Sequence, residues 1–172
     1  MIKSISYKQD LPELLEETAS RLLQVLDSFS RLDINMIPFE NSWTAAQVAD
    51  HLTRSNMSIT KALLIRGTTI NRDPGEKIQE LKNVFLNFET RFKSPEFILP
   101  TQDIYEKETV IGLLKRSIEK MEEASTGSDL SEMINHPAFG DITKFEILHF
   151  VLYHTQRHIH QLENIFEAVK NR

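Results

Sequence analysis

Residues 143–169, TKFEILHFVLYHTQRHIHQLENIFEAV, decide how this chain folds. Thr143 followed three residues later by Glu146 is a capping box, in which side chain and backbone satisfy each other's free N–H groups at a helix start. Ile147, Val151, Leu162 and Ile165 then recur at helical spacing. The stretch predicts a helix to about Val169, roughly 40 Å long at about 1.5 Å per residue. A helix that long needs partners of similar length to cover its apolar side.

Four other segments have that periodicity. Asp10, with Glu13 three residues on, is the expected cap of the first, whose stripe is Leu11, Leu14, Leu15, Leu22, Leu26 and Phe29. Thr44 and Gln47 form a second capping box, followed by Val48, Leu52, Ile59 and Leu63, with Gly67 as the expected stop. Ile78, Leu81, Phe85, Phe88 and Phe92 predict a shorter helix that breaks at Pro95. Ile104, Ile111, Leu114, Ile118 and Met121 predict another, ending near Gly127. The stretch with His136, Pro137 and Gly140 reads as a loop, and no Val/Ile/Thr-rich alternating run supports strands. The expected fold is all-α: one domain over residues 1–172, a four-helix bundle with a short extra helix in the crossover between helices 2 and 3.

Composition narrows the chemistry. The 172 residues include no cysteine, which removes disulfides, thiolate ligands and a cysteine nucleophile together. Any metal site must use His, Asp and Glu. A net charge of -5 with scattered Lys and Arg offers no basic stripe for phosphates, so no nucleic-acid partner is expected. Short apolar runs and an N-terminal MIKSISYKQDL without a signal-like core lead us to expect a cytoplasmic protein with no membrane partner.

Three of the six histidines, His154, His158 and His160, lie on the last segment. His154 and His158, four apart, share one helix face and can aim two imidazoles at one point, whereas His160 points elsewhere. His51, beside Val48, Leu52 and Ser55, faces inward from the second helix. Alone, each would be an ordinary hydrogen-bonded histidine. Together, three inward imidazoles need partners, and one shared divalent metal ion satisfies all of them. Three protein ligands with an open fourth position is the arrangement of catalytic zinc sites. Zinc or nickel is the expected ion, with iron also compatible with imidazole.

Other residues favour plainer roles. Thr155, Gln156 and Arg157 separate the two histidines, so there is no HExxH glutamate to serve as base. His149 with Tyr153 reads as a packed pair, and Trp43 as a hydrophobic staple against the bundle rather than a ligand platform. Serines such as Ser55 have no base at a diagnostic spacing. The runs EKMEE and RSIEK read as a solvated helix face.

Trp43 followed by TAAQVADHL, the HPAFG stretch at 136–140, SPEFILP at 94–100 and the ending HTQRHIHQLENI resemble the DinB-like (YfiT-like) superfamily of metal-binding four-helix bundles, over nearly the whole chain. Where many members continue with HRGQ, this chain has His158, Ile159, His160 and Gln161. The resemblance implies metal ligands at His51, His154 and His158, a homodimer, and a small-molecule substrate. It also implies an activity: metal-dependent hydrolysis, or alternatively S-transfer from a low-molecular-weight thiol. A non-catalytic metal or small-ligand binding module is the further alternative. No catalytic residue beyond the metal ligands can be named from the sequence.

Overall fold

The computed structural model describes residues 7–171; residues 1–6 of the stretch expected to lack a leader lie outside them. Among the described residues there are five α-helices: α1 (Tyr7–Asp27), α2 (Ala45–Leu64), α3 (Ile78–Phe85), α4 (Lys107–Thr126) and α5 (Lys144–Lys170). α1 packs on α5, α5 on α2, α2 on α4, and α4 back on α1, closing a four-helix bundle, while α3 docks on α5 from the crossover. None of these helices is long and apolar enough to cross a membrane.

Both capping boxes form with both arms in place, at Thr44–Gln47 and Thr143–Glu146. The first helix begins earlier than expected, so Asp10 lies in its first turn instead of capping it. There its carboxylate faces the positive end of the helix dipole. Leu11, Leu22, Leu26 and Phe29 of the expected stripe are buried, but Leu14 is exposed. α4 starts at Lys107 because Glu106 caps it, accepting from the backbone N–H groups of Glu108 (3.2 Å) and Thr109 (2.6 Å), which leaves Ile104 outside the helix and exposed.

α3 ends at Phe85, about two turns short of the expected Phe92. Arg157, from α5, donates to the carbonyls of Phe85 (3.2 Å), Asn87 (2.7 Å) and Thr90. Carbonyls past the last turn thus find a cation instead of continuing the helical ladder. Phe88 and Phe92 consequently leave the helix and remain exposed.

The expected loop around His136 is instead an antiparallel hairpin, β1 (Met133–His136) with β2 (Gly140–Thr143). Ile134 pairs with Ile142, and both are buried against the bundle. Four-residue strands with one cross-strand apolar pair are too short to show alternation in sequence. Gly140 turns the chain with φ +63°, a conformation that favours glycine.

Gly67 is not a helix stop, because α2 ends at Leu64. It lets the chain after α2 pass against the hairpin: a Cβ there would sit 2.7 Å from both Glu132 Cβ and the Met133 carbonyl oxygen. Beside it, Thr68 and Met133 exchange backbone hydrogen bonds of 2.9 Å. Gly67→Ala should therefore cost about 1–3 kcal/mol through a forced backbone shift. Urea unfolding checks this, and an unchanged midpoint would show that the approach is looser than described.

Two apolar clusters fill the bundle. One includes Leu26, Val48, Leu52, Leu114, Ile159 and Leu162; the other includes Leu11, Ile59, Leu63, Met121, Ile147 and Tyr153. Along α2 the change falls between Leu52 and Ile59, and along α5 between Tyr153 and Ile159. Between them lie buried polar residues: Ser55, Asn56, His154, Thr155 and His158, with Asn56 donating to Ser117 Oγ at 3.1 Å. From Lys144 to Thr155, α5 is buried without a break, because α3 and the hairpin cover the side that a two-faced helix would leave wet.

Candidate metal centre

His51 enters this polar layer from the second turn of α2; His154 and His158 enter from successive turns of α5. They are 1 %, 8 % and 8 % exposed. His154 Nε2 lies 3.2 Å from His51 Nε2 and 3.1 Å from His158 Nε2. A tetrahedral ion with bonds of about 2.0–2.1 Å holds its nitrogens roughly 3.3 Å apart. The sequence assigned these three residues to one point, and the fold brings them there. His160 is outside the cluster: it is exposed and stacks on Phe88 with ring centroids 4.2 Å apart.

Two outer contacts set the ring orientations. The His51 Nδ1–H donates to the Ile98 carbonyl at 2.9 Å, and the His158 Nδ1–H donates to Gln161 Oε1 at 2.8 Å. Each ring therefore turns an Nε2 lone pair inward. Burial pushes all three pKa values down, His154 well below its ordinary value and His158 to about 3, with repulsion from the neighbouring imidazoles adding to burial for both. The trio is neutral at pH 7. His154 Nε2 has at most one proton to offer two inward lone pairs, so at least one of the two contacts is left without a donor proton. A cation at the centre removes that conflict, so the donor set fits a divalent metal. Among the described residues the cluster contains three ligand groups, with no carboxylate in it.

The cluster lies at the inner wall of a cavity of about 970 Å³ that opens to the surface. Phe150 stacks on His154 at 4.9 Å, and Phe85 meets the same ring edge-on at 6.0 Å. Trp43 packs against the core, as its reading as a staple requires, but its ring also lies 5.0 Å from His51 and lines this cavity. The residue therefore faces the core and the cavity at once. A residue just before a cap can face core and cavity together, which local spacing does not reveal.

His136, on the stretch expected to be a loop, also lines the cavity and is 5 % exposed. Its Nδ1 accepts from the Ala138 N–H at 3.1 Å, so the neutral ring carries its proton on Nε2, which is buried and without a partner among the described residues. Of the outer contacts, only Gln161 had a signal in sequence, three residues after His158 on the same helix. Ile98 acts through its carbonyl, which no residue pattern encodes. His149 behaves as expected: its Nδ1–H donates to the Phe145 carbonyl at 3.0 Å, and its ring lies 6.1 Å from Tyr153.

The fold and site together define a four-helix bundle with a buried three-histidine cluster open to a cavity. The chain belongs to the DinB superfamily, whose family model matches residues 14–162. It is 24% identical over 153 residues to the uncharacterized protein YuaE of Bacillus subtilis (strain 168), an alignment covering 84% of this chain and 90% of YuaE. Its fold is similar to that of YfiT from Bacillus subtilis, a probable metal-dependent hydrolase with an unusual four-helix bundle topology. That similarity has a TM-score of 0.60 and 18% identity, covering 98% of this chain and 90% of YfiT. It is also similar to TT2238, a four-helix bundle protein, with a TM-score of 0.59 and 19% identity, covering 90% of this chain and 97% of TT2238.

Proposed function

We propose that the protein is a metal-dependent hydrolase acting on a small molecule, with His51, His154 and His158 holding one divalent ion, zinc or nickel. The observation that carries this reading is the convergence of three Nε2 atoms, with neighbours at 3.1 and 3.2 Å, at the inner wall of an open cavity. Such an ion acts as a Lewis acid, lowering the pKa of a water or thiol that reaches its open position. The protein's part is to orient the ligand set. Ile98 and Gln161 hold His51 and His158 in the required tautomers, while Phe85 and Phe150 fix the His154 ring between apolar walls. Membership of the superfamily and the likeness to YfiT support the reading.

One observation favours S-transfer from a low-molecular-weight thiol as the second reading. Glu40, which is exposed, is the only carboxylate among the residues lining the cavity, so no buried carboxylate base for water stands beside the cluster. Thiol chemistry needs less from the protein, because coordination itself favours the thiolate.

Cobalt-substituted protein distinguishes these cases. We expect about one ion per chain by elemental analysis and a visible spectrum that responds to pH alone for hydrolysis, or to added thiol for transfer. A spectrum indifferent to both would sink the catalytic reading and leave a non-catalytic binding module. A chain that stays metal-free at neutral pH would overturn the metal assignment itself.

A further inference from the structure

Phe39, Phe88, Phe92 and Phe97 are each about half exposed, at 45–52 %, and all four line the cavity in front of the histidines. No other described phenylalanine is exposed. Three of them come from the crossover, where Arg157 ends α3 and so keeps Phe88 and Phe92 out of a packed helix face. Large exposed rings gathered at one concave site mark a surface awaiting an apolar ligand.

Charge at the same site runs against the rest of the molecule. The chain carries 25 acidic and 20 basic residues, yet the cavity is lined by Arg91, Lys93 and Arg157 against Glu40 alone. Arg157 is held in place by backbone carbonyls and lies 4.8 Å over the Phe92 ring, with no carboxylate partner among the described residues. The neutral imidazoles add no negative charge to offset an ion bound among them. Positive charge at the rim of apolar walls favours an anion whose remainder is hydrophobic.

We propose that the cavity binds an amphipathic anion, a ligand with an aromatic or acyl body lying among the phenylalanines and an anionic head group drawn by Arg91, Lys93 and Arg157. This deepens the functional reading above and rests on it for the role of the ion. The chain's single tryptophan, Trp43, lines the same cavity and so reports its occupancy directly.

The experiment uses the zinc-loaded full chain and two probes with the same ring system, anionic 8-anilinonaphthalene-1-sulfonate and neutral N-phenyl-1-naphthylamine. Binding is followed by energy transfer from Trp43, and metal content is measured on the same samples. The sulfonate should saturate at one per chain. The double variant Arg91→Gln/Lys93→Gln should weaken it about tenfold, as expected for two partly screened charges. The neutral amine should change less than about twofold, which also shows that the variant is folded, and the metal content should not move. Equal loss of both probes, or no loss of the sulfonate, would overturn the proposal. So would a concentration-dependent dimer, seen by sedimentation, that excludes the probe, because a second copy would then be the occupant. Metal-free protein that still takes the sulfonate in this pattern would support the cavity inference while overturning the metal assignment. Metal-loaded protein that takes neither probe would do the reverse.

Discussion

His154→Ala and His51→Ala should each lower metal affinity by about 100-fold or more, while His160→Ala and His136→Ala stay near the parent. Losing an outer contact to a metal ligand already costs about 10–100-fold, and losing the ligand itself costs more. His154 is the most sensitive position, because its Nε2 is the nitrogen within 3.2 Å of both others. The readouts are metal content and the rise in unfolding midpoint with zinc, which mass action sets at about 4 kcal/mol for metal a thousandfold above its dissociation constant. That rise should vanish in the two ligand variants. His154→Phe keeps a ring against Phe150 and separates metal loss from packing loss. Equal losses in all four alanine variants would mean that the site is elsewhere.

Arg72→Met should destabilise the protein by about 3–5 kcal/mol, the usual cost of leaving a buried charge without its partner. The Glu146 side chain is fully buried and receives Arg72 Nη1 at 2.6 Å and Nη2 at 2.8 Å, with the backbone N–H groups of Lys77 and Thr143 at 2.9 Å each. Burial alone would raise its pKa, but these donors hold it below the ordinary carboxylate value. The pair ties the start of α5, and so the helix bearing two of the three clustered histidines, to the chain leading into α3. Glu146→Gln added to Arg72→Met should recover part of the loss, because it removes the stranded charge while keeping a capping amide. Thermal unfolding provides the check. A single variant as stable as the parent would show that the backbone donors suffice.

Where a rule acts within one or two helical turns, residues and structure agree. Both capping boxes are present in full, the four-residue spacing of His154 and His158 gives adjacent imidazoles, and the stripes of α2 and α4 are buried from Val48 to Leu63 and from Leu114 to Met121. His51 was also legible, because a histidine amid core positions of an amphipathic helix must face the bundle. Periodicity gave the correct face of the third segment but the wrong length. Spacing alone does not reveal that Arg157, about seventy residues away, takes the carbonyls beyond Phe85.

The sequence by itself thus determined a helical bundle without cysteine side chains and the three histidines that meet in it, because caps, stripes and helix faces arise from contacts between near neighbours along the chain. Only the tertiary structure decided that β1 and β2 pair, that Trp43 and His136 line the cavity, and that the Ile98 carbonyl orients His51. It also decided that four exposed phenylalanines border that cavity instead of filling the core. Each of these depends on which backbone or side chain arrives from a distant segment. The same apolar residue is core or cavity wall according to whether another element covers it.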